Sequence, residues 1–244
     1  IGGSTALTTL TTNTGGTTVI SVDIETSSTQ TYNDAVTING TLNFTGSTVQ
    51  FANTLAGDDG SGDNLTISGA LDLDGAATSL TSLTVEGTSN LGADVTTSGT
   101  QTYSGAVVLS NDVTLTTTDS NITFSSTVDG DGTARDLTID MDNSGVSADG
   151  TVQFANTVGG LNAISITGNL NLDAAISNTT SLSVSGTSNL GADVTTSSTQ
   201  TYSGAVVLSA DTILTTTDSN ITFGATIDSD GTARDLTLTL GSGS

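Results

Sequence analysis

The residues best suited to chemistry lie in two copies of one acidic loop, "DGDGTARD" (129–136) and "DSDGTARD" (228–235). Alternating carboxylates before a glycine turn can gather as hard oxygen ligands around Ca²⁺. The candidate ligands are Asp129, Asp131 and Asp136 in the first copy and Asp228, Asp230 and Asp235 in the second. The competing interpretation is that Asp-Gly pairs only form turns. Calcium is the one cofactor that the sequence suggests.

A third acidic loop, "GDDGSGD" (57–63), carries Asp58, Asp59 and Asp63. No second copy of this loop exists, because the corresponding stretch of the next repeat shortens to "GG" (159–160). We therefore rank it as a weaker calcium candidate than the two repeated loops.

The residue types that usually perform catalysis are missing. The chain has no His, Cys or Lys to act as a base or nucleophile. A polysaccharide-active β-helix enzyme would have to use Arg135 or Arg234 as its base, and we expect each of these to pair with a neighbouring Asp instead. We predict no catalytic residue and no enzymatic activity.

The charge of the chain is strongly negative, with 25 acidic residues against two arginines and a formal net charge of −23. Such a surface repels nucleic acid and anionic membranes, because binding phosphates requires Lys and Arg. No apolar segment is long enough to cross a bilayer as a helix. We therefore expect neither nucleic-acid binding nor membrane insertion.

The elements that position these loops read as β-strands. The chain holds 52 threonines and 29 glycines and no proline, and short apolar runs such as "AVVL" recur between turn residues. A long repeat is also present: segments 87–139 and 186–238 are identical at 44 of 53 positions, 99 residues apart. We expect an all-β fold.

A shorter repeat surrounds seven of the eight aromatic residues, each of which is followed four residues later by an aliphatic one. These aromatics are Tyr32, Phe51, Tyr103, Phe124, Phe154, Tyr202 and Phe223. Their shortest separations, 19 and 21 residues, match one coil of a β-solenoid. We predict a parallel β-helix of roughly twelve coils of about 20 residues, in which the aromatics form an inward core ladder. Tandem immunoglobulin-like sandwiches are the alternative fold.

The phrases "TQTYSGAVVL", "SNITF" and "IGGSTALTTLTTNTGG" resemble the repeats of giant bacterial secreted surface proteins, the filamentous-haemagglutinin-like β-strand-repeat adhesins. This resemblance implies a right-handed parallel β-helix that is secreted to the cell surface or biofilm matrix. It also implies a role in adhesion or in an extracellular filament.

The repeats predict one continuous solenoid over 1–244, divided approximately into 1–85, 86–184 and 185–244 and open at both ends. A few residues would join the last repeat to the first in register, so we expect copies to stack end to end, as a homopolymer or a longer array. The function that we expect is structural, in an extracellular fibre or an adhesin stalk. A module that binds cell-surface glycans is the alternative.

Overall fold

The computed structural model describes residues 1–59, 62–141 and 150–241, and every regular element in these ranges is a β-strand. In chain order the strands are β1 Leu10–Thr11, β2 Thr17–Ile20, β3 Ile24–Glu25, β4 Thr29–Tyr32, β5 Ala35–Ile38, β6 Leu42–Phe51, β7 Leu55–Gly57, β8 Asn64–Leu73, β9 Ala77–Leu80, β10 Ser82–Val85 and β11 Ser89–Leu91. They continue with β12 Val95–Thr97, β13 Gln101–Tyr103, β14 Val107–Leu109, β15 Val113–Thr116, β16 Ile122–Phe124, β17 Val128–Gly130, β18 Arg135–Asp140, β19 Thr151–Phe154, β20 Val158–Gly159, β21 Leu161–Thr167 and β22 Asn169–Leu172. The last ten are β23 Ile176–Thr179, β24 Ser181–Val184, β25 Ser188–Leu190, β26 Val194–Thr196, β27 Gln200–Tyr202, β28 Val206–Leu208, β29 Thr212–Thr216, β30 Ile221–Phe223, β31 Ile227–Ser229 and β32 Leu236–Leu240.

From β9 onward each strand pairs in parallel with the strand three places later, so one coil contains three strands and the stack has three faces. The first face runs from β1 and β4 through β11 and β14 to β32, the second from β3 through β10 and β13 to β31, and the third from β2 through β12 and β15 to β30. Strands β6 and β8 bend at a corner, and each therefore contributes to both the first and the second face. The hydrogen-bonded sheets consequently number two, of 21 and 11 strands.

The predicted β-solenoid is confirmed, with eleven coils in the described residues, as counted by the eleven strands of the third face. Partners on successive coils lie about 20 residues apart, such as Tyr103 and Phe124. Every strand pair in the described ranges is parallel. This finding rules out the immunoglobulin-like alternative, whose sandwiches consist of antiparallel sheets.

Alternation along the short strands creates the core. In β13 and β16 the first and third side chains are buried and the middle one is partly exposed, as expected when successive side chains point to opposite faces of a strand. Stacking then places equivalent inward residues in columns, such as Val85, Tyr103 and Phe124 on the second face. The interior is a continuous apolar cluster from Ile20 to Leu214.

The 99-residue repeat does not correspond to a whole number of coils. Tyr103 lies in β13 and its copy Tyr202 in β27, fourteen strands later, which is four coils and two thirds of a fifth. Tyr32, Tyr103 and Tyr202 accordingly lie on the first, second and third face. Each copy of the repeat is therefore rotated by one third of a turn about the solenoid axis relative to the previous copy.

Glycine columns mark the corners where successive coils approach most closely. Gly69, Gly87 and Gly105 are stacked at the corner between the second and first faces, and Gly87 donates a backbone hydrogen bond to the carbonyl of Gly69 at 3.0 Å. A Cβ added at Gly105 would lie 2.3 Å from the carbonyl oxygen of Gly87. Real Cβ atoms do not approach backbone atoms so closely, and the coils must therefore separate to admit a side chain.

We expect Gly105→Ala to lower the free energy of unfolding by about 1–3 kcal/mol, the usual cost of overpacking. Urea unfolding followed by circular dichroism measures the change. Gly3→Ala is the matched control, because a Cβ at Gly3 meets no atom within 4 Å. Equal effects of the two substitutions would show that the glycine column is not sterically required.

Candidate functional site

The two repeated acidic loops are organised around arginine. Asp131 forms a bidentate contact with Arg135, with its Oδ2 2.9 Å from the Nη2 atom. Asp230 and Arg234 repeat this pair at 2.8 Å. The guanidinium of Arg135, together with the backbone N–H of Thr133, lowers the pKa of Asp131 to about 2. The expected pairing of both arginines with neighbouring carboxylates is present.

Two of the other carboxylates of these loops, Asp136 and Asp228, accept hydrogen bonds from protein groups. Asp136 Oδ1 accepts hydrogen bonds from the side-chain amide of Asn162 at 2.7 Å and from the backbone N–H of Ala163 at 3.1 Å. Asp228 accepts one from the backbone of Ser229 at 2.8 Å, and Asp129 is exposed on β17. Within the described residues, neither set of three aspartates converges to the spacing that one metal ion needs.

The unrepeated acidic loop does converge. Carboxylate oxygens of Asp58, Asp59 and Asp63 all lie within 4.8 Å of one another, and this is the single such acidic group in the described ranges. Asp58 and Asp59 are exposed, whereas Asp63 is buried. As a metal site, the structure thus favours this loop over the two repeated loops, although the sequence ranked it lower. In the repeated loops, Asp-Gly forms turns without bringing three carboxylates together.

Several other carboxylates accept hydrogen bonds from backbone N–H groups of the following coil. Asp23, Asp94 and Asp193 are equivalent residues of the three repeats, and each accepts a hydrogen bond from a backbone N–H about one coil later. The three donors are the backbone groups of Asn43, Thr114 and Ile213, at 2.7–2.8 Å. These carboxylates satisfy donors at corners where the ladder is interrupted.

The phrase Thr-Gln-Thr-Tyr contains a buried polar clasp that the sequence did not reveal. Gln101 is fully buried, and its Nε2 donates to the carbonyl oxygens of Val95 at 3.2 Å and Thr116 at 2.9 Å. Its Oε1 accepts a hydrogen bond from the Tyr103 hydroxyl at 3.0 Å. Gln30 and Gln200 make the same contacts in the other repeats. A signal was available, since the phrase recurs as a unit of residues two apart, which share one face of a strand.

The seven aromatics form three stacks, one on each face, rather than a single ladder. Their ring centroids are 5.2 Å apart in the pair Tyr32–Phe51, 5.2 Å apart at both contacts of Tyr103–Phe124–Phe154, and 5.5 Å apart in the pair Tyr202–Phe223. Six of the seven rings are buried, and Phe223 is partly exposed on the last coil. Phe44, the aromatic that lacks the motif, is also buried, with its ring 5.8 Å from Tyr32. Burial raises the pKa of all three tyrosines above the ordinary value.

Asp34, between β4 and β5, is a buried carboxylate. It accepts hydrogen bonds from the hydroxyls of Thr12 and, at 2.6 Å, Thr18. These hydrogen bonds lower its pKa, because they favour the charged form.

We expect Asp34→Asn to lower the free energy of unfolding by about 1–2 kcal/mol at neutral pH. Because the pKa of Asp34 is lower in the folded state, its contribution is complete above the unfolded pKa of about 4 and is lost as pH falls. Urea unfolding of both proteins at pH 7 and pH 3 measures this difference. A gap between variant and parent that widens on acidification would contradict the assignment.

A shallow groove of about 520 Å³ lies beside the first arginine loop. Its lining is small and polar, including Gly132, Asn178, Thr195 and Ser197, with Leu161 as an apolar member. None of its lining residues is aromatic. It therefore provides no ring on which a sugar could stack.

The arrangement offers little to an enzyme that uses arginine as a base. Pairing with Asp131 raises the pKa of Arg135, and pairing with Asp230 raises that of Arg234. Both guanidiniums are thus held in the charged form, which cannot accept a proton.

Comparison with protein-family models, curated proteins and solved structures finds no match to this chain. The resemblance to filamentous-haemagglutinin-like repeats therefore stays a prediction. The described part of the chain contains no helix with the length and apolarity of a membrane span.

Proposed function

We propose that this chain is a structural segment of an extracellular fibre or adhesin stalk, built by stacking coil on coil. The observation that carries the proposal is the unbroken parallel pairing from β1 to β32 around one apolar core. At about 4.8 Å per coil, the eleven coils form a rod roughly 50 Å long. Backbone hydrogen bonds along such a rod resist extension and bending.

The last coil supports continued stacking. Leu238 and Leu240 in β32 are 47% and 55% exposed, although their partners in β29 are buried. A further coil, from another copy or from the same polypeptide, would cover these side chains and pair the free strand edge by β-augmentation. The partner that we propose is therefore a chain with the same coil geometry.

Negative-stain microscopy and sedimentation of the purified chain test this proposal. We expect rods that lengthen into filaments as concentration rises. Leu238→Arg should suppress lengthening, because it places a charge where the next coil would pack, while Val108→Arg on an exposed face position serves as control. Particles of one short length at every concentration would count against end-to-end stacking.

Glycan recognition is the second candidate, and the groove beside Gly132 and Asn178 is the surface that it would use. Its polar lining can form hydrogen bonds with hydroxyl groups. Since seven of the eight aromatics are buried, we place this function below the structural one.

A further inference from the structure

We propose that the corner loop containing Asp58, Asp59 and Asp63 binds one hard divalent cation of the Ca²⁺ class. This inference is independent of the fibre proposal, because it concerns a single coil. Two oxygens that share one Ca²⁺ ion, each about 2.4 Å from it, lie at most about 5 Å apart. The 4.8 Å limit on the separations of the three carboxylate oxygens meets this requirement.

Asp63 supplies the observation that distinguishes this loop from an ordinary acidic cluster. It is only 1% exposed, and its Oδ1 accepts a hydrogen bond from the backbone N–H of Gly40 at 2.7 Å. Its other oxygen, Oδ2, is buried and has no hydrogen-bond partner. A buried carboxylate oxygen without a partner is costly, since it has lost its water and gained no donor. A cation held between the three carboxylates provides the missing partner.

The backbone holds Asp63 in place beneath the loop. The carbonyl of Asp63 accepts a hydrogen bond from the N–H of Thr81 on the next coil at 2.9 Å. A Cβ added at Gly57 would lie 2.6 Å from Asp63 Oδ2 and 2.2 Å from the carbonyl oxygen of Ser79. Glycine at position 57 therefore leaves room for the buried carboxylate of Asp63. This carboxylate has a fixed position, to which the exposed carboxylates of Asp58 and Asp59 add the other ligands.

No side-chain cation of this chain neutralises the cluster. The two arginines are the only positively charged side chains, and both are bound to aspartates in distant coils. The equivalent corner of the next repeat, at Gly159 and Gly160, has lost the acidic residues together with the loop. The charge is thus concentrated at one corner of the solenoid.

Calcium titration of the whole chain, after removal of metals with EDTA, tests the site. We expect calorimetry to detect one ion per chain with a dissociation constant of about 0.1–1 mM, the range of extracellular modules. About 5 mM Ca²⁺ should raise the melting temperature by about 2–5 °C. No binding and no thermal shift would overturn the proposal.

Variants separate this loop from general attraction to an acidic surface. Asp58→Asn combined with Asp59→Asn removes two exposed ligands without touching the core, and it should abolish both the bound ion and the thermal shift. Asp63→Asn should do the same if it folds. Asp129→Asn, which removes another exposed carboxylate from β17, should leave both intact. A calcium shift that survives in the Asp58/Asp59 double variant would refute the assignment.

Discussion

Phe124→Ala is expected to destabilise the solenoid by about 3–5 kcal/mol, as large-to-small substitutions of fully buried aromatics do. Phe124 is 1% exposed, and its ring is stacked between Tyr103 and Phe154 with centroid distances of 5.2 Å on both sides. Alanine would leave a cavity between the rings of Tyr103 and Phe154. The backbone pairing of β16 with β13 and β19 fixes the distance between these rings. Because the rigid stack cannot collapse into the gap, we expect a cost near the upper end of the range.

The chain contains its own control for this substitution. Phe223 is the copy of Phe124 in the last repeat, but it lies on the final described coil, is partly exposed and contacts one ring, that of Tyr202. We expect Phe223→Ala to cost about 1–2 kcal/mol, since less surface is buried and one side is open. Urea unfolding gives both values. Equal losses of stability would mean that packing between two rings contributes no more than packing against one.

Hydrogen exchange locates the damage. Repeat proteins are stabilised mainly by contacts between neighbouring coils. Phe124→Ala should therefore accelerate amide exchange in β13, β16 and β19 before it affects the first coils. Uniform acceleration along the chain would show that the solenoid unfolds as one cooperative unit.

The sequence predicted the length of one coil but not the face of the solenoid on which each aromatic motif lies. The 19- and 21-residue spacings correctly paired Tyr32 with Phe51 and Tyr103 with Phe124. Phe51 and Tyr103 belong to the same motif and are 52 residues apart, but they lie on different faces. Phe51 is aligned with Leu73, and through it with Leu91, on the first face, whereas Tyr103 is aligned with Val85 on the second. Coil lengths vary with their corners, so a residue count alone does not determine the face.

Burial of polar residues was the other limit on prediction. Gln101 is a polar residue in a Thr-rich strand, and composition alone gives no reason to place it inside. Asp63 was equally hard to identify, because its burial depends on the small residue Gly57 at the start of its loop and on the backbone of Gly40 in the preceding coil. Both residues are defined by contacts between coils rather than by local pattern.

Gln101→Leu is the second substitution from which we expect a large effect, about 3–4 kcal/mol. Leucine has a similar volume and fits an apolar core, so packing changes little. It removes the donor to the carbonyls of Val95 and Thr116, however, and leaves the Tyr103 hydroxyl without its acceptor. Each buried group that loses its partner costs about 1–3 kcal/mol. Gln50→Leu is the control: Gln50 bonds Asp74 at the surface, and its loss should change stability by about 0.5 kcal/mol or less.

A double-mutant cycle separates the hydrogen bond from the volume. Adding Tyr103→Phe to Gln101→Leu removes the stranded hydroxyl, and we expect the double variant to regain about 1–2 kcal/mol relative to Gln101→Leu alone. Urea unfolding of the four proteins gives the coupling energy. The same cycle at Gln200 and Tyr202 should give a similar value, because the contacts repeat with hydroxyl-to-amide distances of 3.0 and 3.2 Å. If Tyr103→Phe instead destabilised the Gln101→Leu protein further, the hydroxyl would have found another partner, and the clasp would not explain why the phrase recurs on all three faces.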